Sequence, residues 1–337
     1  MSRFKVGTFN VLNLALPGQV TYPNDRPFSK EEYANKIAWI GGQLRRMDAE
    51  IVGFQEVWHL DALKDAVQAG APPGAAPLHV MVATQEQNKP QVGLATSLEV
   101  VRTITHQAFP DGFALTVSGI PDPIQSFSRP VLQADLRLPE GQELSVLVAH
   151  LKSKRPMLDE ETESDAKNLA LGSARALMVR AAEAYALRCI LLKLMEGTKH
   201  PVVLLGDLND SALSVTTVIV SGTPPVHHLP PQEKQAIWDV LLYNAFDIQA
   251  RQNTRRDVSY SHIYNGYYDT LDQIYVSQEF SRLNPKRMGE VEYVHYFNDH
   301  LVDRTLSRER PDRIQSDHGQ VVATLRLTEP PPRRASP

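Results

Sequence analysis

Polar residues that can do chemistry follow short apolar runs at several places along this 337-residue chain. The residues at the ends of these runs are Asn10, Glu56, His150 and Asp207. Short apolar runs predict buried strands, and packed sheets deliver the polar groups at their strand ends into a common cleft. The set offers hard oxygen donors, which suit Mg²⁺ or Mn²⁺, and it contains no covalent nucleophile. The pattern therefore predicts an active site.

The sequence lacks the motifs of other classes of hydrolytic enzyme. The sequence has no G-x-x-x-x-G-K-[ST] loop, no H-E-x-x-H and no G-x-S-x-G, which disfavours an NTPase or a serine hydrolase. The single cysteine, Cys189, falls in an apolar helical pattern, which predicts a buried and inert thiol. His227 and His228 could be a metal pair, but no carboxylate or cysteine stands at ligand spacing, so a non-ligand role is favoured.

The elements that must position the polar residues follow from local patterns. Ser29 and Glu32 form a capping box, and apolar residues at helical spacing continue that helix to Met47. A second helix is predicted from about Lys167 to the stop signal Gly197. The Pro-rich residues 221–232 predict a surface flap. Strands are predicted at residues 4–9, 51–54, 80–84, 93–96, 132–136, 144–149, 202–205, 270–276 and 321–327.

Composition is that of a folded globular protein, with 42% hydrophobic and 22% charged residues. Asn10 and Asn13 interrupt the apolar stretch at the amino terminus, so it does not resemble a signal peptide. No apolar run approaches the ~20 residues that a membrane span needs. We expect a cytoplasmic protein, with a secreted mature form left open. The net charge of −4 means that a polyanion must be met by a local basic patch.

Five separated segments resemble the endonuclease/exonuclease/phosphatase superfamily, which includes pancreatic deoxyribonuclease, bacterial extracellular nucleases and neutral sphingomyelinases. They are residues 8–13 (TFNVLN), 54–57 (FQEV), 148–152 (VAHLK), 206–209 (GDLN) and 316–318 (SDH). Two further segments fit the resemblance, 127–130 (FSRP) and 271–275 (LDQIY). The resemblance implies one α+β domain over residues 1–328, a four-layer α/β/β/α sandwich in which helices flank two packed mixed β-sheets. We expect the Pro-rich tail, residues 329–337, to be disordered.

The resemblance also implies a divalent cation, Mg²⁺ or Mn²⁺. Glu56 would be its principal carboxylate ligand, with Asn10 beside it and Asp317 as an additional contact. Some members carry an acidic residue two positions after the first asparagine, where this chain has Leu12. Metal binding is therefore expected to depend more heavily on Glu56 and Asp317.

The remaining roles implied by the resemblance concern water, phosphate and the leaving group. Asp207 would orient and deprotonate the attacking water, and Asn209 would donate to the phosphoryl oxygens. His318 would contact the scissile phosphate, either as a base or as a cation that stabilises the transition state. Asp272 would accept a hydrogen bond from its other ring nitrogen and fix its tautomer. His150 stands where some members carry a leaving-group acid. Arg129 stands where a phosphate-contacting arginine is found, although a surface ion pair is the other interpretation.

The choice of phosphoester is less constrained, because a fold does not select a substrate. Residues 150–154 (HLKSK) look most like the bacterial extracellular nucleases, which favours nucleic acid as the substrate and partner. Basic clusters near the carboxyl-terminal motifs could hold several phosphates, or they could pair with nearby acidic residues. The clusters are Arg251, Arg255 and Arg256; Lys286 and Arg287; and Arg304, Arg308, Arg310 and Arg313. The sequence indicates no protein partner.

Two alternatives remain open at the level of sequence. One is a lipid or small-molecule phosphodiesterase or phosphatase, but we expect no exposed aromatic or aliphatic hairpin of the kind that membrane docking requires. The other is a catalytically silent module that only binds phosphate. The full set of acidic, amide and imidazole residues argues against a silent module.

Overall fold

The computed structural model describes residues 2–23, 25–86, 89–158, 165–252, 257–307 and 313–328. The predicted disordered tail lies outside these residues. Six α-helices are found in the described ranges: α1 (Lys30–Met47), α2 (Leu60–Gly70), α3 (Ala166–Met195), α4 (Val215–Ser221), α5 (Pro231–Asp239) and α6 (Ala245–Gln252). The strands are β1 (Arg3–Leu14), β2 (Ile51–Val57), β3 (His79–Val82), β4 (Gln91–Thr96), β5 (Glu99–Ala108), β6 (Ser126–Arg137), β7 (Glu143–His150), β8 (Val202–Asp207), β9 (Leu242–Asn244), β10 (His262–Tyr264), β11 (Tyr267–Asp269), β12 (Asp272–Ser277), β13 (Gly289–Phe297) and β14 (Gln320–Leu327).

The strands form two six-stranded mixed sheets and one small hairpin. The first sheet has the order β13-β14-β1-β2-β4-β3, and the second has the order β5-β6-β7-β8-β12-β9. Each sheet contains one parallel pair near its centre, β1 with β2 and β7 with β8. The other pairs are antiparallel. Strands β10 and β11 form a separate two-stranded hairpin.

Apolar side chains fill three clusters that correspond to the spaces between four layers. The central cluster joins the facing sides of the two sheets, for example Val6 and Leu94 with Val148 and Leu205. A second cluster packs α3 against the second sheet, and a third packs α1 and α2 against the first. The predicted α/β/β/α sandwich is confirmed. Burial on both faces explains why the central strands are continuous apolar runs in the sequence.

The capping box at the start of α1 forms as predicted. The Ser29 hydroxyl accepts a hydrogen bond from the Glu32 backbone N–H at 3.1 Å, and the Glu32 carboxylate accepts one from the Ser29 N–H at 2.9 Å. The Pro-rich flap is shorter than predicted at both ends, because α4 includes Ser221 and α5 begins at Pro231. Cys189 is partly exposed, so the prediction of a buried thiol was wrong.

Strand β1 continues beyond the predicted residues 4–9 as far as Leu14. Leu12 and Asn13 adopt positive φ angles of 51° and 54°, and the pairing of β1 with β2 shifts register between Asn10 and Leu14. A bulge of this kind lets a strand continue past polar residues while it changes the direction of their side chains. None of the helices in the described ranges has the length and apolarity needed to cross a bilayer.

Candidate functional site

The predicted polar residues lie together because the central strands of both sheets end at the same edge of the sandwich. Asn10 and Glu56 lie near the carboxyl ends of the parallel strands β1 and β2. In the second sheet, His150 of β7 pairs in register with Asp207 of β8. Asp272, the first residue of the antiparallel strand β12, lies directly opposite Asp207. The strand register therefore gathers carboxylate, amide and imidazole groups from both sheets into one cleft.

The Asp272 carboxylate and the His318 imidazole form a buried pair. The distance from Asp272 Oδ2 to His318 Nδ1 is 2.7 Å, although the two residues are 46 positions apart in the sequence. Burial alone would lower the pKa of His318, but the charges of Asp272 and Asp207 raise it well above its usual value. The imidazole is therefore held as a cation. Its other ring nitrogen, Nε2, lies 3.9 Å from Asp207 Oδ2 and faces the cleft.

The Asp207 carboxylate is at the centre of the hydrogen-bond network. Oδ2 accepts from Asn10 Nδ2 at 3.1 Å and lies 3.4 Å from His150 Nε2, while Oδ1 accepts from the backbone N–H of Asn209 at 2.9 Å. Burial, together with the charge of Asp272, raises the pKa of Asp207 to about 7 against the opposing charge of His318. A carboxylate with this pKa can take up a proton near neutral pH.

Backbone geometry directs two of the site side chains. Asn209 has a φ of 55°, and its side-chain amide donates to the Leu151 carbonyl at 3.0 Å, which ties the end of β8 to the loop after β7. Gly206, with a φ of 148°, precedes Asp207, and a Cβ there would lie 1.9 Å from the Ala149 carbonyl oxygen. Only glycine allows β7 and β8 to approach this closely beside the site.

A second acidic centre lies at Glu56. Its carboxylate accepts from the Asn13 backbone N–H at 3.1 Å and from Asn10 Nδ2 at 3.4 Å. Burial raises the pKa of Glu56, and the charge of Asp317 raises it further. Carboxylates that repel one another in a partly buried cleft suit a divalent cation, whose charge offsets the repulsion. The donor set therefore fits the predicted Mg²⁺ or Mn²⁺.

Asn10 shows its amide nitrogen, not its oxygen, to Glu56 and Asp207, because its Oδ1 accepts from the Leu12 N–H at 3.1 Å. In this orientation Asn10 holds the carboxylates in place. Rotation of the amide by half a turn would present the oxygen as a ligand. Within the described residues, two groups of His and acidic side chains bring their ligand atoms within 4.8 Å of one another, and Glu56 belongs to neither. They are His262, Asp317 and His318, and Asp207, Asp272 and His318.

Two basic residues, Arg129 and Lys152, border the same cleft beside His150, and we call them the cationic wall. Burial lowers the pKa of His150 well below its usual value, and the charge of Arg129 lowers it further, so this imidazole is neutral. Burial, together with Arg129, also lowers the pKa of Lys152 to about 8. The Arg129 guanidinium donates through Nη1 to the Leu151 carbonyl oxygen at 3.5 Å. The predicted leaving-group role of His150 would require it to gain a proton, and it stays a prediction.

Sequence reasoning missed a buried carboxylate behind this wall, Glu183 on α3. The side chain is 1% exposed, and its two oxygens accept from the backbone N–H groups of Ser128 at 2.8 Å and Lys152 at 2.6 Å. These residues adjoin Arg129 and Leu151. Glu183 therefore fixes both segments that supply the cationic wall. The signal in the sequence that could have identified Glu183 is a charged residue within the apolar face of α3.

Sequence reasoning also missed the hairpin of β10 and β11 beside His318. His262 forms a backbone bridge with His318, and their ring centroids are 4.7 Å apart. The hairpin exposes Tyr264, Tyr267 and Tyr268, which are 68%, 77% and 56% exposed. The expectation that the chain has no exposed aromatic hairpin was wrong. Its three-residue strands are too short to give a periodic signal in the sequence.

Two residues of the basic clusters have intramolecular partners, and one of these partners is acidic. Arg287 lies 3.8 Å from Glu290, and Arg313 donates to the Arg26 carbonyl at 2.6 Å with its guanidinium over the Phe28 ring. Arg255, Arg256, Arg308 and Arg310 lie outside the described residues. In the part of the chain that is described, His227 and His228 belong to neither potential metal-binding group.

Comparison with known proteins places this arrangement in a family. The sequence profile of the Endonuclease/Exonuclease/phosphatase family matches residues 7–318. No curated protein sequence matches the chain. An endonuclease/exonuclease/phosphatase from Bacteroides vulgatus has a similar structure, with 16% identity, a TM-score of 0.58, and coverage of 97% of this chain and 100% of that one.

Two further solved structures share the fold. A mannosyl-6-phosphatase from Bacteroides thetaiotaomicron is 14% identical, with a TM-score of 0.55 and coverage of 97% of this chain and 100% of that one. The D. rerio TDP2 complexed with a single-strand DNA product is 14% identical, with a TM-score of 0.53 and coverage of 96% and 99%. Because the family profile spans nearly the whole chain, from Gly7 within β1 to His318, the protein belongs to the endonuclease/exonuclease/phosphatase family.

Proposed function

We propose that this protein is a divalent-metal-dependent phosphodiester hydrolase that cleaves nucleic acid by attack of an activated water. The observation that carries the proposal is the buried Asp272–His318 pair at 2.7 Å, with Asp207 3.9 Å from the free ring nitrogen. The charged imidazole of His318 and the carboxylate of Asp207, whose pKa is raised, thus lie side by side in the cleft. This pairing supplies a proton acceptor and a positive charge without a covalent nucleophile.

Each residue of the site has its own role in the proposed hydrolysis. Asp207, whose pKa is about 7, accepts the proton of the attacking water at Oδ2. His318, kept charged by Asp272, stabilises negative charge that develops on the phosphoryl oxygens. Arg129 contributes a second positive charge at the rim of the cleft. Asn10 and Asn209 orient Asp207 through its two oxygens.

Glu56 and Asp317 are the residues that would hold Mg²⁺ or Mn²⁺. Asn10 would join them as a ligand only if its amide rotated and gave up its hydrogen bond to Asp207. When bound, the cation would neutralise charge on the phosphate and stabilise the leaving alkoxide. Two contacts support this assignment: Asn10 bonds to the Glu56 carboxylate, and Asp317 lies within 4.8 Å of the ligand atoms of His262 and His318.

Nucleic acid is the favoured substrate for two reasons. Lys154 of the HLKSK segment is about half exposed and is shared between Asp269 at 3.0 Å and Asp210 at 3.4 Å. Exchange of one of these carboxylates would let it contact a neighbouring phosphate. A structural neighbour, the D. rerio TDP2, holds a single-strand DNA product. The mannosyl-6-phosphatase neighbour supports a second candidate function, hydrolysis of a sugar phosphate.

A substrate panel tests the proposal. The purified protein with Mg²⁺ or Mn²⁺ is incubated with single- and double-stranded DNA, RNA, sphingomyelin, a sugar phosphate and bis(p-nitrophenyl) phosphate. Metal-dependent cleavage of a nucleic acid, lost in His318→Ala, is the expected result. Preference for the sugar phosphate or for sphingomyelin would overturn the nucleic-acid assignment, and inactivity on every phosphoester would overturn the hydrolase itself.

A further inference from the structure

The β10–β11 hairpin has two chemically different faces. The register pairs His262 with Asp269, Ile263 with Tyr268 and Tyr264 with Tyr267. Directly opposite residues in an antiparallel pair share a face, and successive residues alternate between faces. His262, Tyr264, Tyr267 and Asp269 therefore lie on one face, which we call the tyrosine face. Ile263 and Tyr268 lie on the other.

The tyrosine face begins at the candidate active site. The His262 ring lies 4.7 Å from the His318 ring, and the Tyr264 ring lies 6.4 Å further along with its plane only 19° from that of His262. The row of rings thus leads outward from the His318 imidazole. Tyr264 and Tyr267 end the row at the hairpin tip, where they are 68% and 77% exposed.

Hydrogen bonds fix the hairpin to the catalytic pair. The Gly319 N–H donates to the Ser261 carbonyl at 2.7 Å, next to His318. The Ser261 hydroxyl accepts from the Asp272 N–H at 3.0 Å. The tyrosine face is therefore held in position relative to both Asp272 and His318. By contrast, Tyr268 on the opposite face packs edge-on against Tyr260 at 4.9 Å.

We propose that Tyr264 and Tyr267 form a stacking platform for the bases of a single-stranded nucleic acid whose phosphate lies at His318. The proposal rests on the proposed function and specifies its substrate as single-stranded. Exposed aromatic faces beside a cationic groove bind single strands irrespective of sequence, because every base has a π-face. Bases within a duplex are already stacked on one another and cannot use such a platform.

The chemistry of the face favours bases over lipid. Asp269 shares the face with the tyrosines and pairs with Lys154 at 3.0 Å. A carboxylate among the rings opposes insertion into acyl chains, since burying a charge is costly. Tyrosine hydroxyls and a lysine amine are compatible with a strand that alternates flat bases and phosphates. A membrane surface is therefore the alternative outcome of the test.

Binding measurements on four proteins test the platform: wild type, Tyr264→Ala/Tyr267→Ala, Tyr264→Phe/Tyr267→Phe and Tyr268→Ala. Fluorescence anisotropy follows a labelled oligothymidylate and an abasic strand of equal length, with Ca²⁺ replacing Mg²⁺ to suppress turnover. We expect the alanine pair to weaken oligothymidylate binding at least about fivefold, the lower bound for one stacked base. The phenylalanine pair keeps the rings and should bind like wild type. Tyr268→Ala controls for the integrity of the hairpin.

The abasic strand and lipid vesicles provide the contradicting outcomes. Equal loss of affinity for the abasic strand, or no loss for either strand, would overturn the platform. Unchanged strand binding together with lost sedimentation on phosphatidylcholine and phosphatidylserine vesicles would assign the tyrosines to a membrane. Hydrolysis of bis(p-nitrophenyl) phosphate by wild type separates the two claims, because its absence would overturn the proposed function while the binding data still decide the platform.

Discussion

Replacement of Asp272 by asparagine is the change that most sharply tests how the site works. Asp272→Asn keeps the shape of the side chain but removes the charge that lies 2.7 Å from His318 Nδ1. The pKa of His318 should fall, because burial, which lowers it, is then opposed by fewer negative charges. The new amide can also turn its NH₂ group toward Nδ1 and favour the wrong tautomer.

The expected size of the effect follows from the geometry. Two unit charges whose centres are about 4 Å apart attract one another by about 4 kcal/mol at an effective dielectric constant of about 20. Each 1.4 kcal/mol changes a rate about tenfold. If charged His318 stabilises the transition state, Asp272→Asn should therefore lower kcat/KM by about 10²- to 10³-fold. Less of the imidazole is protonated at neutral pH in the variant, while protonation of Asp207 at low pH slows both proteins. The ratio of the variant's rate to the wild-type rate should therefore rise as the pH is lowered.

A double-mutant cycle on bis(p-nitrophenyl) phosphate measures the coupling. The initial rates of wild type, Asp272→Asn, His318→Ala and the double variant are compared at saturating Mn²⁺. Residues that act as one unit give strongly non-additive losses, so the double variant should be hardly slower than His318→Ala. Rate losses that multiply would refute the reasoning and would leave Asp272 with an independent, structural or metal-binding role.

Three further changes address the metal site, the cationic wall and the packing of the strands. Glu56→Gln should weaken Mn²⁺ binding in calorimetry at least about tenfold, because it removes one of two carboxylates that repel each other in the cleft. Glu183→Gln should lower the free energy of unfolding by about 1.5–3 kcal/mol in urea titrations and raise KM, because one backbone N–H loses its charged acceptor. Gly206→Ala should cost more than about 3 kcal/mol in the same titration, since its Cβ would lie 1.9 Å from a carbonyl oxygen.

Each of these changes has a control or a contradicting result. Unchanged Mn²⁺ affinity would show that Glu56 is not a ligand. A Glu183→Gln variant with wild-type KM would limit that residue to a stabilising role. Gly141→Ala is the match for Gly206→Ala, because Gly141 has a φ of 90° and open space around it, so it should cost only about 1–2 kcal/mol from the backbone. Equal losses at the two glycines would exclude the clash.

Local signals in the sequence were sufficient for the elements that position the site. The capping box at Ser29 and Glu32 placed the start of α1, and apolar runs placed the strands that carry Glu56, His150 and Asp207. The proximity of Asp272 and His318 followed from the resemblance. In the fold, Ser261 links them, because it accepts hydrogen bonds from the N–H groups of both Asp272 and Gly319. Their catalytic roles stay predictions.

The rest depends on tertiary contacts that leave a weak local pattern. Strand β5 is an edge strand with mostly exposed side chains, so it lacks apolar alternation. Glu183 acquires its role only when α3 packs behind the loops at Ser128 and Lys152. The tyrosine face becomes recognisable only when the bridge between His262 and His318 fixes the hairpin beside the cleft.

The dependence of phosphodiester hydrolysis on metal tests the central claim most directly. The protein is stripped with a chelator, and its rate on bis(p-nitrophenyl) phosphate is followed as Mn²⁺ or Mg²⁺ is added back to wild type and to Glu56→Gln. The account predicts no turnover in the stripped protein, saturable recovery in wild type, and recovery in Glu56→Gln only at much higher metal concentration or not at all. Full turnover after exhaustive chelation would contradict it.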